Sequence, residues 1–253
     1  MLTISRDLAG PALREIEAFE KQQRFAERLA LTRLSIEVQK AEQVAIATVF
    51  DRPSSFTQRS VLTFARQEAG GNGFVRVVKI RDQASGGTAP DRYLAPQVHG
   101  GERSAKRFER AFRFVDFRNN AFRDDQLFAV PGKGARLNRY GNLSQGTYQR
   151  ILSALRMHSD DAFNSSARSR RRNKKLPQYF LGKAGKGRRT LAIWERHGRG
   201  QRSIKPVLIA VEKTNYRKRF PFFDIGAQVM RGRHNEVHAA ALDEALRTAR
   251  SGR

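Results

Sequence analysis

The sequence has 253 residues, 39% of them hydrophobic, which supplies a modest core for one large domain or two small ones. Its 49 Lys and Arg outnumber 24 Asp and Glu, and the resulting charge of +25 is more than solubility requires, so an acidic or polyanionic partner is expected. The lack of Cys excludes disulfides, thiolate chemistry and cysteine zinc sites, and no apolar run nears the roughly 20 residues of a membrane-spanning helix, so the expectation is a soluble protein made inside the cell with no membrane partner.

Pro11 suits the first turn of a helix, and helix formers continue without Gly or Pro until Pro53, so a long N-terminal helix is predicted over about 11–50. Leu31, Leu34, Val38, Ala41, Ala45 and Val49 recur at three and four residues as its apolar stripe, with Arg33, Glu37, Lys40 and Glu42 on the other sides. Pro53 disfavours helical geometry at Arg52, and "FDRPSSFTQRS" reads as a shaped turn. The β-branched "FVRVVKIRDQ" reads as a strand, and "RYLAPQVHGG" as an extended segment after a Gly-rich loop. A helix is predicted from Glu102 to Phe117, then a Gly- and Asn-rich loop, "FAVPGKGARLNRYGNLS", whose Ser144 caps a helix reaching about Met157.

From Asp160 to Pro177 the composition turns polar and basic, as in a mobile arm or long loop. "QYFLGK", "TLAIWER" and "KPVLIAVEK" are three short strands of an antiparallel sheet, and the chain closes on an amphipathic helix. The expected class is α+β: long N-terminal helix, small antiparallel sheet, C-terminal amphipathic helix and a basic loop or arm.

Three patterns invite a chemical reading. "GKAGKGRRT" resembles a phosphate-binding loop, but Gly187 follows Lys186 where that loop needs Ser or Thr, so a basic hairpin turn is the better reading. His234 and His238 share a helix face, yet Asn235 stands where a metalloprotease helix carries its general base, so surface histidines are expected. Asp124 with Asp125 and Asp160 with Asp161 read as turn acids rather than nuclease carboxylates, and no metal or cofactor is expected.

The basic stretch is the strongest signal. Arg168, Arg170, Arg171, Arg172, Lys174, Lys175, Lys183, Lys186, Arg188 and Arg189 fall within 22 residues, and no acid occurs from Ala162 to Trp194. These cations suit phosphates, with Tyr179 and Phe180 available to stack on bases, or carboxylates on an acidic protein face; a merely solvated loop is the third alternative.

In order, "ALTRLS", "FDRPSSFT", "YLAPQVHGGERSAKRFE", "FAVPGKGARLNRYGNLSQG", "YFLGK", "LAIWER" and "IKPVLIAVEK", between two terminal helices, resemble the bacteriophage tail-completion proteins of the minor tail protein Z group. The resemblance spans nearly the whole chain as an order of elements. It implies a noncatalytic structural protein of the virion neck or tail, synthesised in the host cytoplasm and assembled as a homo-oligomeric ring around the DNA channel. Implied partners are the portal or connector and the tail terminator or tail tube, with nonspecific contact to genomic DNA. The corresponding organisation is one domain, 1–253, with an inserted middle block at about 81–157 and a basic arm at about 160–190. The rival expectation is a nonspecific DNA-binding protein acting in genome packaging or protection.

Overall fold

The computed structural model describes residues 9–67, 73–85, 87–111, 128–173, 176–183, 191–197 and 204–251. In chain order these form α1 (Ala9–Val49), α2 (Ser55–Gln58), β1 (Val61–Gln67), β2 (Phe74–Ile80), α3 (Pro90–His99), β3 (Gly101–Glu102), α4 (Arg107–Arg110) and β4 (Phe128–Pro131). There follow α5 (Gln145–Ala154), a 3-10 turn (Asp161–Phe163), α6 (Ala167–Arg172), β5 (Gln178–Lys183), β6 (Leu191–Arg196), β7 (Ile204–Val211), β8 (Asn215–Tyr216) and α7 (Phe222–Ser251). The class is α+β, with the long first helix, small antiparallel sheets and a long last helix. Among the described residues no helix is long and apolar enough to cross a membrane.

Two compact units divide the chain: Met1–Phe50, Ser55–Arg81 and Phe220–Arg253 make the first, Asp51–Ser54 and Asp82–Arg219 the second. In the first, α1 and α7 run antiparallel. Ala26, Ala30 and Leu34 pack against Val237, Ala241 and Ala245, and the small side chains let the helices approach closely. Ion pairs flank this seam, Arg33 to Glu244 at 2.6 Å and Arg233 to Glu37 at 3.0 Å. The antiparallel hairpin β1–β2 lies against α1, which donates the Gln39 amide to the Val61 carbonyl at 2.8 Å. α1 ends where Arg52, before Pro53, takes φ 47°, outside helical geometry.

The buried line of α1 differs from the expected stripe. Leu34 and Val38 are buried, but Leu31, Ala41, Ala45 and Val49 are only half-buried; the line runs Ala26, Ala30, Leu34, Val38, Glu42, Ile46. A four-residue interval overshoots one turn by about 40°, so this line winds round the helix, and Glu42, expected among the solvent-facing residues, falls on it. Glu42 is fully buried.

In the second unit the sheet order is β4-β7-β6-β5, all antiparallel. Its core gathers Leu143, Ile151, Met157, Tyr179, Ile193, Val207 and Leu208. Pro206 sits in the central strand β7, where proline forfeits a ladder donor; the register shifts at Ile193/Trp194, beside it.

"RYLAPQVHGG", expected as extended, contributes most of α3. Pro90 occupies the first turn, where its missing N–H costs nothing, and Leu94, Gln97 and Val98 form a buried face. The predicted 102–117 helix begins later, at Arg107, because Gly101 and Glu102 pair with Tyr216 and Asn215; 112–127 lie outside the described residues. β1 and β4 were not anticipated: β1 follows a turn-rich stretch and pairs with the next strand, β2, while β4 opens one and gains its partner from the distant β7. Ser144 caps α5 as expected, its side chain accepting from the Thr147 amide, although α5 ends at Ala154 rather than about Met157.

Candidate docking surface

The expected basic arm carries more local structure than a loop. Asp160 accepts from the Ala162 amide at the head of the 3-10 turn, and Ser166 accepts from the Ser169 amide at 3.1 Å to start α6. Residues 171 and 172, both arginines, lie in the last turn of α6, where cations complement the helix dipole. Arg171 and Arg172 stand three and four positions from Arg168, so the three share one helix face, and all three are exposed. Among the described residues none of the three makes an ion pair or a side-chain hydrogen bond. Arg170 belongs to α6 by its backbone; its side chain lies outside the described residues, as do Lys174, Lys175, Lys186, Arg188 and Arg189.

Lys183 is exposed at the end of β5, an edge strand of the sheet among the described residues, and a lysine at such an edge opposes nonspecific strand addition. Arg136 and Arg150, exposed on the β4–α5 connection and on α5, both act electrostatically on the Tyr179 hydroxyl, so cations from outside the arm lie beside β5. They were missed because their sequence neighbourhoods are not unusually basic. A long-range contact brings them to the strand.

The aromatic residues of the arm do not fit base stacking. Tyr179 is buried and donates its hydroxyl to Glu195 at 3.2 Å; burial, then the Glu195 charge, push its phenol up to about 12. Phe180 is half-buried with the Arg196 guanidinium 5.0 Å from its ring centre. What the surface offers is a set of guanidinium and ammonium groups for carboxylates or phosphates.

Other candidate groups have local roles. His234 and His238 stack with ring centres 5.9 Å apart, and His234 Nδ1 lies 3.2 Å from Asn235 Oδ1. Asp161 binds Asn164 at 2.9 Å and Arg156 at 3.4 Å, so with the Asp160 cap this pair organises its turn. Asp124, Asp125 and most of "GKAGKGRRT" lie outside the described residues. Among the described residues no group of three or more His, Asp or Glu is placed to hold a metal.

The quoted motifs also act as joints of the fold. In "GGERSAKRFE", Arg103 grips Glu109 inside the second unit; in "VPGKG", the Gly132 and Gly134 amides donate to the Val207 and Pro206 carbonyls, both at 2.9 Å. Compared with known proteins, the chain matches no family model, no curated protein and no solved structure.

Proposed function

We propose that this chain is a noncatalytic bacteriophage structural protein of the neck or tail, a tail-completion subunit that joins heads to tails and assembles as a ring around the DNA channel. The observation that carries the reading is the exposed arginine face of α6, Arg168, Arg171 and Arg172, which makes no ion pair among the described residues, in a chain of charge +25. Forked guanidinium groups without ion-pair partners among the described residues suit the carboxylates of an adjoining subunit, and neighbouring portal, connector or tail proteins are the expected acidic surfaces. The whole-chain order of motifs supports the phage setting. Substituting Arg170, Arg171 and Arg172 with Glu tests it: heads and tails should accumulate unjoined while the isolated protein stays folded, and normal particles would refute the arm's role.

The same face favours a second reading, a nonspecific DNA-binding protein in packaging or genome protection. Binding through several phosphates weakens steeply with salt. A DNA affinity that falls steeply between low and physiological salt, in a protein absent from particles, would replace the first reading with this one.

A further inference from the structure

The seam between α1 and α7 stops before α1 does. Ala26 packs in the cluster with Ala245, and only six residues of α7 follow, about 9 Å of helix, whereas seventeen residues of α1 precede Ala26, about 25 Å. At about 100° per residue, Ile16 and Phe19 fall within the arc occupied by Ala26, Ala30 and Leu34, the arc that meets α7 farther along. Leu13 adjoins them one turn earlier. These side chains remain 59% (Leu13), 56% (Ile16) and 53% (Phe19) exposed. The established helix–helix interface therefore continues as an apolar stripe with no cover among the described residues.

Charge selects the occupant. Arg14, Lys21, Arg24 and Arg28 balance Glu15, Glu17, Glu20 and Glu27, and Arg6 balances Asp7, so residues 1–28 are neutral while the rest of the chain carries the full +25. Two copies repel one another over their basic surfaces, but not along this segment, which combines neutrality with exposed apolar area. Nucleic acid has nothing to gain there.

We infer that residues 9–25 of α1 form a self-association surface that packs, apolar stripe to apolar stripe, against α1 of a second copy of this chain. The inference deepens the proposed role and rests on its view of the chain as a self-assembling subunit, giving that assembly a specific contact. One short helix pair lies at the small end of interface sizes, so the contact is weak and depends on concentration, as suits subunits that gather only on a growing particle.

Because the natural chain has no Cys, single cysteines report the contact directly. Full-length Ile16→Cys and Phe19→Cys should be joined between copies by a short thiol cross-linker, whereas Arg14→Cys, on the opposite side of the helix, should not. Sedimentation should show wild-type association rising with concentration, and its loss in the double variant Ile16→Glu/Phe19→Glu, whose circular dichroism and melting should stay unchanged because both residues are more than half exposed. Equal cross-linking at all three positions, a monomeric wild type at every concentration, or undiminished association of the double variant would each overturn the inference. A wild type that associates through another surface would do so while leaving the structural-subunit reading intact; absence from virions overturns that reading independently.

Discussion

Arg103 and Glu109 meet as a two-point fork inside the second unit, Nη1 to Oε2 at 2.6 Å and Nη2 to Oε1 at 2.5 Å, with both side chains nearly withdrawn from solvent. The Glu109 carboxylate also accepts from the amides of Lys106 (2.7 Å) and Ala129 (2.9 Å), tying α4 to β4, and the guanidinium lies 4.9 Å from the centre of the Phe128 ring. Burial alone pushes the Glu109 carboxyl up, but the Arg103 fork and the two amides together hold it below the ordinary range.

Removing one partner leaves the other buried without compensation, at a cost of about 3–5 kcal/mol. Arg103→Leu should lower the urea midpoint accordingly, and adding Glu109→Leu should recover much of the loss. Because the folded carboxyl titrates below its unfolded value, its contribution is present above the unfolded pKa and disappears as pH falls through the folded one. Urea melts at pH falling below the ordinary carboxyl value of 4.5 should therefore narrow the gap between wild type and Arg103→Leu.

Glu42 has the opposite sign. Both its carboxyl oxygens are buried without a hydrogen-bond partner among the described residues, the neighbouring Gln39 and Gln43 amides being directed to the Val61 carbonyl, and burial pushes its pKa from 4.5 to about 8. The folded chain keeps a proton that the unfolded chain has released, so the contribution of this group to stability is full below pH 4.5, declines between there and about pH 8, and then levels off. Glu42→Gln, which resembles the protonated acid, should flatten this slope and leave the variant more stable than wild type above pH 8, as thermal melts across the range would register. Equal slopes would contradict the burial of the carboxyl.

Gly132 and Gly134 are set by close approach. A Cβ at Gly132 would stand 2.4 Å from the Pro206 oxygen, and one at Gly134 would stand 2.4 Å from Lys205 Cβ. Either alanine substitution should destabilise the protein by about 1–3 kcal/mol, the usual cost of overpacking, and speed hydrogen exchange along β4 and β7 first. Unchanged exchange there would refute the tight seating of "VPGKG" on β7.

The two long helices, β2, β5, β6, β7 and the Ser144 cap were legible because periodicity, β-branched runs and capping chemistry are local signals. Other features depended on pairing or packing that no local pattern announces. β1 and β4 become strands by pairing with β2 and β7, Glu42 is buried by the winding of the α1 contact line, and Arg103 finds Glu109 through a turn whose composition reads as surface. Of the candidate site, the exposed cations at Arg168, Arg171, Arg172 and Lys183 were legible from charge alone; the burial of Tyr179 was not, since it follows from β5 closing one edge of the sheet core.

Mass spectrometry and neck-focused cryo-electron microscopy of purified particles, made from the genome that encodes this chain, test the proposed function most directly. The expected result is several copies of the chain at the junction of head and tail, with the α6 arginines against an adjoining subunit. Mature particles that lack the chain would contradict it.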